Sequence, residues 1–250
     1  MNSRVVQADR RDPIFIAEIG LNHDGSFDVA CELIREARRA GADIVKFQLG
    51  WRSQSEEINH LAMSRAAELV AWCRDVGVEP LASVFTEEAF DVARQLDMPR
   101  YKIASRTVRD NPTLVERMLA EGKETFISLG MHSGAGWPFG PPSERVRYLF
   151  CRSKYPTHPA DLRDFPTEFG AGGFYGYSDH CLGTAACLVA VSRGAAVVEK
   201  HFTLNKTSQV VRDHILSATP DEFRELTTVG RDLGRLVRGM AAARSAQPSS

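Results

Sequence analysis

Two lysines stand inside otherwise apolar, β-rich stretches of this chain. Lys46 lies in DIVKFQ and Lys102 lies in YKIAS. An ammonium group that faces a protein interior is costly unless an anion or a carboxylate compensates its charge. We therefore interpret two inward ammonium groups as a site for a phosphate and a carboxylate. The alternative is that either lysine extends between helices and reaches water with its charged end.

Hydroxyl groups near the ends of other β-rich stretches could complete such an anion site, because a hydroxyl can donate a hydrogen bond to an oxyanion. Serine is a common residue, so no single one of these is diagnostic. The argument rests on their joint occurrence with the lysines. The candidate donors are Ser83, Ser105, Ser128 and Ser178.

Two histidines stand at the ends of β-rich stretches, His180 after FYGYSD and His201 within AVVEKHF. A lone histidine is more often a satisfied polar residue than a metal ligand. Adjacent parallel strands lie about 4.8 Å apart, however, so imidazoles at two neighbouring strand ends can share one metal ion. Water or a carboxylate such as Asp213 would then complete the coordination shell.

Eight apolar, β-rich runs alternate with stretches of helical periodicity along the chain, and this alternation predicts parallel strands joined by helices. Eight such units close a (β/α)8 barrel, and an open doubly wound sheet is the alternative fold. The Gly- and Pro-rich segment 133–146 predicts that the helix before the sixth strand is very short or is replaced by a loop. The predicted strands span residues 14–20, 43–48, 79–85, 101–105, 125–130, 146–151, 174–179 and 196–202.

The predicted barrel would bring the chemically capable residues together. Active sites of such barrels lie at the C-terminal ends of the strands, where nearly every strand of this chain carries a polar residue. The carboxylates Glu18 and Glu199 stand there beside the two lysines, and we predict that these four residues are catalytic.

Composition excludes several functional classes. A net charge of -1 provides no field that would gather nucleic acid, and no apolar run is long enough to cross a membrane. The N-terminus lacks the pattern of a secretory signal, so we expect a cytoplasmic protein. Five scattered cysteines without a CxxC pair predict buried free thiols. We expect one domain over residues 1–250, with a closing helix over 220–240 and a polar tail from about residue 241.

Eight fragments, in this order, resemble the catalytic barrel of the sialic acid synthases, which include the N-acetylneuraminate, legionaminate and pseudaminate synthases. The resemblance covers residues 14 to about 226. The fragments are AEIGLNHDG, VKFQ, YKIAS, ISLGM, YPT, YSDH, EKHFT and RDHILSATPDEF.

The resemblance implies a transferase that condenses phosphoenolpyruvate with an aldehyde acceptor and releases phosphate. It implies a divalent metal, Mn²⁺ with Mg²⁺ or Co²⁺ as alternatives, bound by His180 and His201. Acidic residues of the family's metal and acceptor region match Glu18, Glu199 and Asp213. The donor's phosphate and carboxylate would be bound at positions that match Lys46, Ser83, Lys102, Ser105, Ser128 and Ser178.

The chain departs from the family pattern in several places. Ser153 stands where the family has an asparagine, and we count it among the substrate-binding residues, while Arg106 stands where glycine is usual. The stretch 49–71 is shorter than in the family, and we expect the family's C-terminal antifreeze-like domain to be absent. These departures predict a non-standard acceptor in a specialised pathway.

Three functional hypotheses follow. The first is the phosphoenolpyruvate-dependent synthase acting on small-molecule substrates, and a homodimer is compatible with it. The second is a metal-dependent aldolase or lyase with another substrate. The third is a non-catalytic homologue that binds an anion or a partner protein.

Overall fold

The computed structural model describes residues 12–170 and 172–245 of the chain. Eight parallel strands follow one another in sequence order and form a closed barrel, because β1 pairs with β8 as well as with β2. This closure confirms the predicted barrel and excludes the open sheet. The strands are β1 Ile14–Glu18, β2 Ile44–Leu49, β3 Glu79–Val84, β4 Tyr101–Ile103, β5 Thr125–Ser128, β6 Val146–Cys151, β7 Gly176–Asp179 and β8 Val197–His201.

Helices connect most of the strands. None forms between β5 and β6, where the predicted loop is confirmed, and two 3-10 turns span Pro159–Leu162 and Arg212–Leu216. No helix within the described ranges is both long and apolar enough to span a membrane. The helices are α1 Phe27–Arg39, α2 His60–Ser64, α3 Ala66–Val76, α4 Glu87–Gln95, α5 Ser105–Asp110, α6 Pro112–Ala120, α7 Ala185–Ser192 and α8 Pro220–Ser245.

The end of the chain differs from the sequence prediction. Helix α8 continues to Ser245, so residues 241–245 are helical rather than part of a polar tail. Alanine and arginine, which fill most of these positions, are strong helix formers and explain the extension. The remaining residues of the predicted tail, 246–250, lie outside the described residues.

Helix α1 shows why the local sequence folds as it does. The Ser26 hydroxyl caps the helix by accepting a hydrogen bond from the backbone N–H of Val29. After the helix, Gly41 adopts a φ of 90°, which turns the chain towards β2. The face that packs on the barrel repeats at intervals of three and four residues and consists of Ala30, Leu33, Ile34 and Ala37.

Side chains point alternately outward and inward along each strand, so the apolar residues form two separate layers. Outward residues such as Phe15, Val45 and Val198 pack beneath the helices. Inward residues form a smaller apolar cluster near the N-terminal ends of the strands. This plug closes one end of the barrel, so the polar residues beyond it can be reached only from the C-terminal end. The plug contains Ile14, Ile16, Ile44, Leu81, Phe126, Leu149 and Val197.

Candidate active site

A cavity of about 270 Å³ opens at the C-terminal ends of the barrel strands. All twelve residues that the sequence singled out for catalysis, substrate binding or metal binding lie in its wall. The strands position most of them, since each strand directs alternate side chains inward. The twelve are Glu18, Lys46, Ser83, Lys102, Ser105, Ser128, Ser153, Ser178, His180, Glu199, His201 and Asp213.

Lys46 is a buried cation that the protein itself neutralises. Its Nζ lies 2.8 Å from Glu18 Oε2 and 3.5 Å from Glu199 Oε2. It also donates a hydrogen bond of 3.0 Å to the Ser83 hydroxyl. The two carboxylates hold the pKa of Lys46 above its ordinary value even though burial opposes this shift. Lys46 therefore stays charged at neutral pH.

Lys102 is a buried cation without such a partner. Only 2% of the residue is exposed, and no carboxylate among the described residues forms an ion pair with it. Its Nζ donates hydrogen bonds of 2.8 Å to Ser128 Oγ and 3.2 Å to the carbonyl of Ile103. Burial lowers the pKa of Lys102, an effect that Glu199 partly opposes. This lysine lacks a counter-ion in the absence of a ligand.

The serines of the cavity differ in what their hydroxyls bind. Ser178 donates a hydrogen bond of 2.7 Å to Glu199 Oε1, so its proton is directed at the protein rather than at a ligand. Ser105 accepts a hydrogen bond of 2.8 Å from the backbone N–H of Gly130 and also bonds to the neighbouring Cys151 thiol. Gly130 permits this packing, because a Cβ there would lie 2.6 Å from Ser153 Oγ.

The two buried glutamates have opposite electrostatic environments. Burial is the main reason that the pKa of Glu18 lies above its ordinary value; Lys46 opposes this shift and the charge of Glu199 adds to it. Burial would also raise the pKa of Glu199, but Lys102 and Lys46 hold it at about 2. A pair of carboxyl groups with separated pKa values suits a division between proton transfer and fixed charge. Glu18 is the group suited to proton transfer.

His180 and His201 face each other, with their ring centroids 5.4 Å apart. Nδ1 of His180 lies 2.6 Å from the carbonyl oxygen of Arg152, a contact that places the proton on Nδ1 and leaves Nε2 as the lone-pair nitrogen. Nδ1 of His201 is buried without a hydrogen-bond partner. Burial, followed by the nearby His180 and Lys46, lowers the pKa of His201 well below its ordinary value. A neutral imidazole is the form that binds metal, and His201 is held in this form. Burial would also lower the pKa of His180, but the neighbouring Cys151 raises it above its ordinary value.

These histidines fit a divalent metal as two nitrogen donors. Asp213 Oδ1, in the wall of the same cavity, is buried without a hydrogen-bond partner. Burial raises the pKa of Asp213, while Arg212, His180 and Arg52 lower it. Within the described part of the chain, no three His, Cys, Asp or Glu side chains lie close enough to hold a metal together. Other ligands would come from water or substrate.

Several polar residues at strand ends do not belong to the cavity. Lys200 and Asp179 form a buried ion pair of 2.7 Å on the outer side of β7 and β8, and Tyr177 donates to the same aspartate. Asn22 binds the carbonyl of Phe202 and thereby ties the loop after β1 to the loop after β8. These residues support the site without lining it.

The sequence reasoning missed several residues of the cavity. Tyr155, in the YPT fragment, lies against the ring of His180 with centroids 4.2 Å apart. Cys151 was interpreted only as a buried thiol, but it also lines the cavity. The prediction of buried thiols is wrong for Cys31, which is only partly buried, unlike the other cysteines. Trp51 and Arg212 line the cavity as well. Trp51 follows shortly after the fragment VKFQ, and Arg212 is the first residue of RDHILSATPDEF.

Comparisons with known proteins agree on one family of synthases. A family model described as the NeuB family matches residues 49–239. N-acetylneuraminate-9-phosphate synthase of Mus musculus is 32% identical over 250 residues, which cover 86% of this chain and 69% of the mouse protein. N,N'-diacetyllegionaminic acid synthase of Legionella pneumophila is 30% identical over 254 residues, covering 87% and 71% of the two chains.

A solved structure shows the same fold. The N-acetylneuraminic acid synthetase of Leptospira borgpetersenii, in complex with citrate, superposes with a TM-score of 0.77 at 24% identity. The match covers 97% of this chain and 96% of that one.

Proposed function

This chain belongs to the NeuB family, and from that premise we propose that it joins C3 of phosphoenolpyruvate to the carbonyl carbon of a sugar-type aldehyde, with release of inorganic phosphate. The synthase relatives and the match to the NeuB model support a reaction of this type. We also propose that the acceptor differs from the standard N-acyl amino sugars, because the sequence analysis indicates that the stretch 49–71 is shorter than in the family pattern.

The observation that carries this proposal is the uncompensated ammonium of Lys102. Burying a charge without a partner costs several kcal/mol, and a bound anion would remove most of that cost. Lys46 lies in the same cavity but is already neutralised by Glu18 and Glu199. Among the described residues, Lys102 is therefore the cavity lysine without a carboxylate at ion-pair distance, and the Ser128 hydroxyl beside it supports the binding of an anionic donor such as phosphoenolpyruvate.

We propose that His180 and His201 hold a divalent metal, with Mn²⁺ as the first candidate and Mg²⁺ or Co²⁺ as alternatives. When bound there, the metal acts as a Lewis acid on the acceptor carbonyl. The hydrogen bond from His180 to the carbonyl of Arg152 keeps that imidazole in one orientation, whether or not metal is present.

The protein's own groups would account for the remaining chemistry. The new bond forms between C3 of the donor and the carbonyl carbon, the carbonyl oxygen takes a proton, and water adds at C2. Cleavage of the bond between C2 and the phosphate oxygen then leaves a keto acid and inorganic phosphate. We propose that Glu18 takes the proton of the incoming water, because its raised pKa suits reversible proton transfer. Lys102 stabilises the phosphate through this sequence.

The decisive test is an assay of inorganic phosphate released from phosphoenolpyruvate. Purified protein is incubated with Mn²⁺ and a panel of aldehydes: erythrose, mannose, N-acetylmannosamine, their terminal phosphates and mannuronate. We expect release that depends on both the aldehyde and the metal, with N-acetylmannosamine among the poor acceptors. Carbon–carbon bond cleavage of a keto acid without phosphate release would instead support an aldolase. Failure to bind phosphoenolpyruvate in calorimetry would overturn the proposal.

The cytoplasmic location and the homodimer stay predictions of the sequence. The assay above needs neither, because it uses the purified chain.

A further inference from the structure

The mouth of the cavity carries a group of cationic and aromatic side chains that the proposed reaction does not use. We call it the arginine rim and define it as Trp51, Arg52, Arg106 and Arg212. Trp51, Arg106 and Arg212 line the cavity, and Arg52 follows Trp51 directly. All four lie beyond the last residues of β2, β4 and β8, in the segments that follow these strands. The rim is therefore separate from the lysines inside the barrel.

Trp51 holds two of these arginines. The guanidinium carbon of Arg106 lies 4.9 Å from the centre of the indole, and that of Arg52 lies 5.8 Å from it. Phe85 supports the other side of this arrangement, with its ring centroid 5.4 Å from that of Trp51. Contact with an aromatic ring restricts an arginine without consuming its N–H donors. Both guanidinium groups can therefore still bind an oxyanion.

The charges of the rim are poorly neutralised by the protein. Arg52 has no ion-pair partner among the described residues, and it adopts the left-handed region with a φ of 48°. The nearest carboxylate to Arg106 is that of Asp110, at 3.7 Å, and this carboxylate already accepts two hydrogen bonds from Arg109. Positive charge therefore accumulates on this side of the mouth.

Arg212 carries the same charge as the other rim arginines but lies close to a carboxylate. Arg212 lies over the ring of Tyr155 at 4.5 Å, and its Nε lies 3.5 Å from Asp213. Its side chain is 67% exposed, so its remaining donors face solvent. Asp213, whose pKa both Arg212 and Arg52 lower, lines the same cavity.

We propose that the acceptor carries an oxyanion, a phosphate or a carboxylate, at the end remote from its aldehyde, and that Arg52 and Arg106 bind this group. This inference rests on the proposed function, since it specifies the acceptor class of that reaction. The donor's anionic groups would occupy the interior near Lys102, so the rim is left for the second substrate. A neutral sugar would leave the rim arginines without a counter-charge.

The test compares sugars that differ at one carbon: mannose, mannose 6-phosphate and mannuronate. For the wild-type protein we expect kcat/KM for at least one anionic sugar to exceed that for mannose by about tenfold or more. The double variant Arg52→Gln with Arg106→Gln should reduce this efficiency about 10- to 100-fold, while mannose turnover and the KM for phosphoenolpyruvate change less than about twofold. Whichever anionic sugar responds identifies the oxyanion.

Arg117→Gln is the control, because Arg117 lies on helix α6 outside the cavity wall and its ion-pair partner is Glu87 rather than an acid beside the rim. This variant should leave kcat/KM unchanged for all three sugars. Equal kcat/KM for neutral and anionic sugars would overturn the inference. A double variant that weakens the binding of phosphoenolpyruvate rather than the binding of the acceptor would also overturn it, since the rim would then bind the donor.

A binding measurement separates this inference from the proposed function. The chain has three tryptophans, and Trp51 is the one at the cavity mouth. Mannose 6-phosphate should quench its fluorescence, whereas the signal should be missing in Trp51→Phe and weakened in the double arginine variant. If no aldehyde releases phosphate from phosphoenolpyruvate but this quenching persists, the proposed reaction is wrong and the anion site stands. If neither anionic sugar quenches the fluorescence, the anion site is wrong.

Discussion

Glu18 Oε2 lies 2.8 Å from Lys46 Nζ, and the register of β1 and β2 places the two residues directly opposite each other. This contact means that one of the two buried lysines is satisfied before any ligand arrives. The other, Lys102, donates its hydrogen bonds within the described part of the chain to Ser128 and to the carbonyl of Ile103. Ligand affinity and protein stability should therefore respond differently to changes at the two lysines.

Replacing Lys102 by methionine should separate stability from binding. The variant removes a buried ammonium without an ion-pair partner, but also the cation that most lowers the pKa of Glu199, so we expect these opposing effects to leave the free energy of unfolding of the ligand-free protein within about 2 kcal/mol of the wild type. Phosphoenolpyruvate should no longer raise the melting temperature. Scanning calorimetry with and without ligand measures both effects. Lys123→Met, which alters a lysine outside the cavity wall, should keep the ligand-induced shift, and a shift retained in Lys102→Met would contradict the anion site.

Glu18→Gln should keep the fold but slow the reaction. The amide can still accept from Gln48, and Lys46 keeps its ion pair with Glu199, so phosphoenolpyruvate should bind nearly as well. Loss of a positioned acid–base group typically lowers kcat about 10²- to 10⁴-fold. Steady-state phosphate release measures the change, with the exposed Glu144→Gln as control. A kcat within about threefold of the wild type would exclude Glu18 as the proton-transferring group.

His180→Ala and His201→Ala should each abolish Mn²⁺-dependent turnover without unfolding the barrel. Two donors on neighbouring strands act together, so removing one leaves too few protein ligands to hold the ion. Isothermal titration with Mn²⁺ measures binding independently of catalysis. The exposed His158→Ala should bind metal like the wild type. Undiminished metal binding by His201→Ala would show that the ion, if required, binds elsewhere.

Asp179→Asn should destabilise the protein by about 3–5 kcal/mol, because Lys200 would be left buried without a counter-charge. Adding Lys200→Met to this variant should recover part of the loss. Burial alone would raise the pKa of Asp179, but Lys200 holds it below its ordinary value of 3.8. The stability of the pair is therefore present above pH 3.8 and disappears as the pH falls further. Urea unfolding at several pH values measures this, and a cost under 1 kcal/mol at pH 7 would contradict the prediction.

Gly176→Ala should severely destabilise the barrel. A Cβ at Gly176 would lie 2.1 Å from the carbonyl oxygen of Val197 on the neighbouring strand, and backbone at that position cannot move without breaking the barrel pairing. Gly239→Ala provides the comparison, since nothing lies within 4 Å of its added Cβ. In helix α8 it should stabilise by about 0.5–1 kcal/mol. Thermal melting of both variants tests the contrast; equal melting temperatures would contradict it.

Sequence periodicity located every strand, though not every strand end. The fourth strand was predicted over residues 101–105 but ends at Ile103, because Ser105 already begins helix α5. The seventh was predicted from residue 174 but begins at Gly176. Apolar runs report burial, and burial continues into the turns that follow a strand, so the ends of such runs are poor markers of strand ends.

The sequence by itself determined the barrel and many of the residues that line its cavity, because eight alternating units leave few ways to pair, and parallel strands direct their C-terminal ends to one face. Only the tertiary structure decided which lysine is neutralised, since Lys46 and Lys102 stand in similar apolar runs and differ only in what the neighbouring strands place beside them. It also decided that Ser178 and Glu199 face inward while Asp179 and Lys200 face outward. These outcomes depend on strand register and barrel closure, which are set by contacts between residues far apart in the chain.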